Sequence, residues 1–75
     1  MTKVPSLTSR EVIRRLKTAG FVFDRQAKVS HEIWYNPSTR RRPVIPNHPG
    51  VDIPKGTLLA ILKEAGLSLE KFLKL

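Results

Sequence analysis

The sequence has no cysteine, which removes a disulfide framework and a thiolate metal site together. Its two histidines, His31 and His48, stand too far apart in the chain to suggest a zinc site, so neither a metal nor a cofactor is expected. Acidic residues are also scarce: six Asp and Glu face fourteen Lys and Arg, for a net charge of +8. So strong a positive field on a small body favours a polyanionic partner, and nucleic acid is the commonest one inside a cell. A basic, highly soluble surface and an acidic protein partner are the other readings of that charge. No run approaches the roughly 20 apolar residues that span a bilayer, and Met1 to Leu7 holds no apolar stretch of leader length. A cytoplasmic protein without a membrane partner is therefore expected. With 75 residues, the chain buries only roughly 60–65% of the surface its unfolded form exposes, enough for one core and a single domain over residues 1–75.

What is present reads in order as a helix, three strands, a helix and a short final helix. Thr8 is an N-cap with Glu11 completing a capping box, and Leu7 faces Val12 as a hydrophobic staple. Val12, Ile13, Leu16 and Ala19 form the apolar stripe of that helix, Arg10, Arg14 and Lys17 line its other side, and Gly20 stops it. Phe21 to Gln26 then reads as a strand, with Phe21 and Phe23 on one face and Val22 and Asp24 on the other. Ala27-Lys28-Val29 is read as a turn into a second strand, Ser30 to Asn36. Alternation along that strand puts Ser30, Glu32 and Trp34 on the face opposite His31, Ile33 and Tyr35, so Trp34 is assigned to the core. Pro37 to Arg41 is a second turn, and Arg42 to Pro46 a short third strand that its prolines confine to an edge. Asn47 to Pro54 reads as loop, Lys55 to Ala65 as a helix ended by Gly66, and Ser68 caps the last helix. The order predicts an α+β domain with its helices on one face of a three-stranded antiparallel sheet.

Ser30-His31 followed after two residues by Trp34, then His48-Pro49-Gly50, then Gly56-Thr57-Leu58 with Ile61-Leu62 and Ala65-Gly66-Leu67-Ser68, together resemble the HicA (YcfA-like) toxin family. Ala19-Gly20-Phe21 at the end of the first helix fits as well, so the resemblance runs over nearly the whole chain. It implies a double-stranded-RNA-binding-domain-like α-β-β-β-α fold, an mRNA interferase activity within a toxin–antitoxin system, and a HicB-like antitoxin as partner. It also implies that His31, which matches the histidine of the family's Gly-Ser-His strand, is the catalytic residue. Two positions depart from the family's pattern: Val29 stands for the glycine, and Glu32 for what is often a second histidine. A β-branched side chain resists backbone angles open to glycine, so Val29 is a place to look for a reshaped hairpin. Pro54-Lys55-Gly56-Thr57-Leu58 transposes the family's Lys-Pro-Gly-Thr-Leu, a mild change.

Metal-free RNA cleavage needs a proton taken from the ribose 2′-hydroxyl and one given to the leaving 5′-oxygen, and imidazole is the side chain that exchanges protons near neutral pH. His31 is the single acid/base candidate, as general base or general acid, while His48 reads as a residue that caps its loop. RNA contacts are expected from Arg40, Arg41, Arg42, Lys28 and Lys55 through phosphate, from Tyr35 by stacking on a base, and from Ser30 beside the histidine. The competing readings are a solvated turn for the three arginines and a non-catalytic RNA-binding module of the same fold for the whole chain.

Overall fold

A computed structural model describes residues 3–75; Met1 and Thr2, the head of the segment searched for a leader, lie outside the described residues. The elements are β1 (Leu7–Thr8), α1 (Ser9–Thr18), β2 (Val22–Lys28), β3 (His31–Tyr35), β4 (Val44–Pro46), β5 (Asp52–Ile53), α2 (Lys55–Ala65) and α3 (Leu69–Leu73). Strands β2, β3 and β4 form an antiparallel sheet in that order, and with the helices they make the expected α+β, double-stranded-RNA-binding-domain-like architecture. No helix among the described residues is long and apolar enough to cross a membrane.

Helix α1 begins where its capping chemistry says. The Thr8 hydroxyl accepts from the Glu11 amide at 3.3 Å, and the Glu11 carboxylate accepts from the Thr8 amide at 2.9 Å. Thr8→Ala removes the side-chain half of that exchange and is expected to cost about 1 kcal/mol, read as a lower midpoint in urea unfolding. The helix ends on Gly20 at φ +99°, and the Phe21 amide donates back to the Leu16 carbonyl at 2.9 Å. Phe21 therefore belongs to the helix stop and is buried in the core, and the strand starts one residue later than expected.

The first hairpin also differs from the expected one. Strand β2 runs on to Lys28, the turn is Val29-Ser30, and β3 spans His31 to Tyr35. The Gln26 side-chain amide donates to the carbonyls of Lys28 and Val29 at 2.8 and 2.9 Å, which fastens the turn there. Among the described non-glycine residues only Arg40 has a positive φ, so Val29 lies on ordinary backbone, with its side chain 96% exposed. This hairpin has no need of the glycine that Val29 replaces. At the far end Asn36 is not strand but a turn former, its side chain accepting from the Ser38 amide at 2.9 Å.

Strand β4 lies at the sheet edge, as its prolines require; Pro43 pairs through its carbonyl, which accepts from the Trp34 amide at 3.1 Å. The segment read as loop after Asn47 contains one further ladder, where β1 pairs with β5 through Leu7↔Ile53 and Thr8↔Asp52. Two residues set among Pro and Gly carry no strand signal of their own. Helix α2 matches its expected span and ends on Gly66 at φ +72°, and the Ser68 hydroxyl accepts from the Lys71 amide at 3.1 Å to start α3. Val12, Leu16, Trp34, Ile45, Leu58, Ile61 and Phe72 form the centre of the core between helices and sheet.

Candidate active site

Strand β3 divides its side chains between two faces, and Trp34 fixes which is which. Trp34 is 5% exposed on the helix side of the sheet, where its indole N–H donates to Glu32 Oε1 at 3.1 Å and its ring meets the edge of Phe23 at 5.8 Å between centroids. Glu32 is thus committed to the core side of the strand. Alternation leaves His31, Ile33 and Tyr35, each half-buried, on the opposite face.

The register of β2 decides what surrounds them. Val22 pairs with Tyr35, Phe23 with Trp34, Arg25 with Ile33, Gln26 with Glu32 and Lys28 with His31, leaving Asp24 and Ala27 as extra residues in two bulges. Directly opposed residues share a face, so Val22, Arg25 and Lys28 stand on the His31 side. Plain alternation from Val22 would have put Asp24 and not Arg25 there. Each bulge advances the register by one, and the result is a more basic face.

His31 opens into a cleft of about 360 Å³ at the end of the sheet, lined also by Ser9, Pro46, His48, Asp52 and Thr57. The loop that brings His48 there is held at its root. The Asn47 amide donates to the Ser30 carbonyl at 2.6 Å, the Asn47 side chain donates to Glu32 Oε2 at 2.5 Å, and the Val51 amide closes the loop on the His48 carbonyl at 3.1 Å. Ser9 anchors the neighbouring wall by donating from its hydroxyl to the Pro46 carbonyl at 2.6 Å. Glu32 therefore links Trp34 in the core to the loop carrying the second imidazole.

The residues expected to hold RNA are not all gathered at this cleft. Lys28 lies directly across the ladder from His31, and Ser30 sits in the adjoining turn. Tyr35 and Arg42 stand at the other end of β3, the guanidinium 4.2 Å from the ring centroid and 3.3 Å from Asp24. Arg41 turns away from the open face: its Nε lies 3.1 Å from where a Cβ on Gly66 would stand, beside the C-terminus of α2. Arg40 is exposed in the intervening turn, at φ +63°. Lys55 is exposed in the first turn of α2, next to Pro54 and near Thr57, which line the cleft.

Two residues of the site escaped the sequence reading. Arg25 was hidden because nothing in Phe23-Asp24-Arg25-Gln26 marks a bulge, and a one-residue shift moves a side chain across the sheet. His48 did carry a signal, a histidine before a Pro-Gly turn in a loop expected to cross the end of the sheet, but it reads there as a cap of that loop and not as a partner of His31.

A comparison with curated proteins finds no match to the chain. The family model described as the HicA toxin of bacterial toxin–antitoxin systems matches residues 9–67, from the first residue of α1 to just beyond the Gly66 stop, and takes in β3 with His31 and the loop with His48. On that match over most of its 75 residues, the chain belongs to the HicA toxin family and is the toxin component of a toxin–antitoxin system.

Proposed function

We propose that this toxin is an endoribonuclease, an mRNA interferase, in which His31 carries proton transfer. The observation that supports it most is that His31 and His48, the two histidines of the chain, line one cleft at the end of the sheet, with Lys28 across the ladder from His31. In this reading one imidazole takes the proton from the ribose 2′-hydroxyl as that oxygen attacks phosphorus. The bond from phosphorus to the 5′-oxygen breaks, and the other imidazole, entering as imidazolium, donates its proton to the leaving oxygen. The products are a 2′,3′-cyclic phosphate and a free 5′-hydroxyl, and no metal ion takes part.

Lys28, opposite His31 on the ladder, is placed to hold the phosphate at the cut. Ser30 adds a hydroxyl beside it, and Lys55 adds charge where the first turn of α2 adjoins the cleft. Farther along the sheet Tyr35 offers a stacking surface backed by Arg42, with Arg40 at the turn. Arg41, drawn towards α2, contributes long-range field more than contact. A HicB-like antitoxin would silence the toxin by covering the same basic face.

Purified protein incubated with mRNA in the presence of a chelator tests this reading: cleavage should persist and leave cyclic-phosphate ends. Tight, salt-sensitive RNA binding with the RNA left intact would reduce the chain to a binding module. His48→Ala is expected to lower kcat by roughly 10²-fold and to remove one limb of a bell-shaped pH–rate profile. An unchanged kcat and profile would return His48 to a structural role in its loop.

A further inference from the structure

A second cleft, of about 760 Å³, lies between α1 and the loop at residues 47–50. Arg10, Arg14 and Lys17 line its helix wall. Steps of four and three place these cations on one stripe of α1, away from the buried Val12 and Leu16. No Asp or Glu lines the cleft, and the ion pairs found among the described residues join Asp24 to Arg25 and Arg42, not to Arg10 or Arg14. A basic helix face by itself is an ordinary solvated surface. This one is the wall of a groove, and Ser9 and His48 line both it and the cleft that holds His31.

We propose that this groove is a phosphate-backbone subsite that carries the RNA strand away from His31 along α1, an inference resting on the endoribonuclease reading above. From Arg10 to Lys17 the helix rises about 10 Å at about 1.5 Å per residue, the length of about three stacked nucleotides at about 3.4 Å each. Two guanidinium groups suit this ligand because their forked N–H donors match phosphate oxygens two at a time. Contacts to phosphate read no base, so the subsite adds affinity and direction without sequence preference. The groove is continuous with the reaction cleft and lined by cations without competing carboxylates, which favours a strand threaded past His31 over a separate acidic protein.

The test is the double substitution Arg10→Gln and Arg14→Gln, both exposed positions, with a thermal melt to verify folding. Lys17 is left in place because its ammonium lies 5.7 Å from the Trp34 ring centroid and supports the core. Binding of a labelled, mixed-sequence single-stranded RNA is measured against salt in chains that also carry His31→Ala, so that the RNA stays whole. Loss of two phosphate contacts should reduce the slope of log affinity against log salt by about 1.4, at about 0.7 per contact on a single strand. With His31 intact, KM should rise severalfold while kcat holds, the pattern of lost uniform binding. An unchanged slope and KM overturn the subsite even if the protein cleaves RNA. Should the substitutions leave RNA binding intact but abolish binding of an acidic antitoxin, the groove is a protein interface instead. If the unaltered chain cleaves no RNA, the nuclease reading fails alone, since the slope of RNA binding still decides the groove.

Discussion

His31→Ala is expected to abolish RNA cleavage, lowering kcat by roughly 10²- to 10⁴-fold, while RNA binding and folding persist. The fold should tolerate it because the side chain is half-buried on the open face and makes no hydrogen bond among the described residues. A surface-side truncation of that kind changes stability by roughly 0.5 kcal/mol or less. Binding should persist because the cations around the cleft are untouched, with Lys28 still facing the vacated position across the ladder. Single-turnover cleavage, RNA titration and a thermal melt on the same preparation separate the three quantities. Partial recovery of cleavage on adding free imidazole would tie the loss to proton transfer. Parallel loss of binding and cleavage would make His31 a contact residue, and undiminished cleavage would remove it from the reaction. The same substitution should relieve growth inhibition when the toxin is expressed without its antitoxin.

Trp34→Ala is expected to unfold the protein or leave it marginal, with a loss of roughly 3–5 kcal/mol. One side chain here joins several parts of the fold. It fills the core between sheet and helices, takes the edge of Phe23, lies beneath the Lys17 ammonium and bonds through its indole N–H to Glu32. A domain of this size has a stability of only about 5–15 kcal/mol to lose from. Trp34→Phe, which keeps most of the ring but drops the N–H, should cost less, and guanidinium melts of the two variants order them. If Ala and Phe prove equal, the indole-to-Glu32 bond and not the packing is what matters. Because Glu32 also holds Asn47 at the root of the His48 loop, Trp34→Phe should disturb cleavage more than its stability loss alone explains.

The sequence and the structure agree wherever a short-range signal is complete. Thr8 with Glu11, Gly20, Gly66 and Ser68 are local devices, each closing hydrogen bonds within a few residues, and each stands where it was expected. The division of β3 into a Trp34 side and a His31 side also follows from period-two geometry alone. Agreement fails where the deciding partner is distant. The bulges at Asp24 and Ala27 depend on how β2 lies against β3, and the β1–β5 ladder depends on the chain returning to its own beginning. The three consecutive arginines show the same limit: Arg41 turns to α2, Arg42 to Tyr35 and Asp24, and Arg40 to solvent.

By itself, then, the sequence determined the helices with their caps and stops, the α+β class and the two faces of β3, because hydrogen-bond closure and side-chain periodicity are local, while His31 stood out through its match to the family's histidine. Only the tertiary structure decided that Arg25 joins the open face, that Glu32 is spent on Trp34 and Asn47, and that His48 returns to share a cleft with His31. Arg25 turns on the register of the hairpin, and Glu32 and His48 on where the loop after β4 closes against β3, and no local pattern encodes where such segments meet.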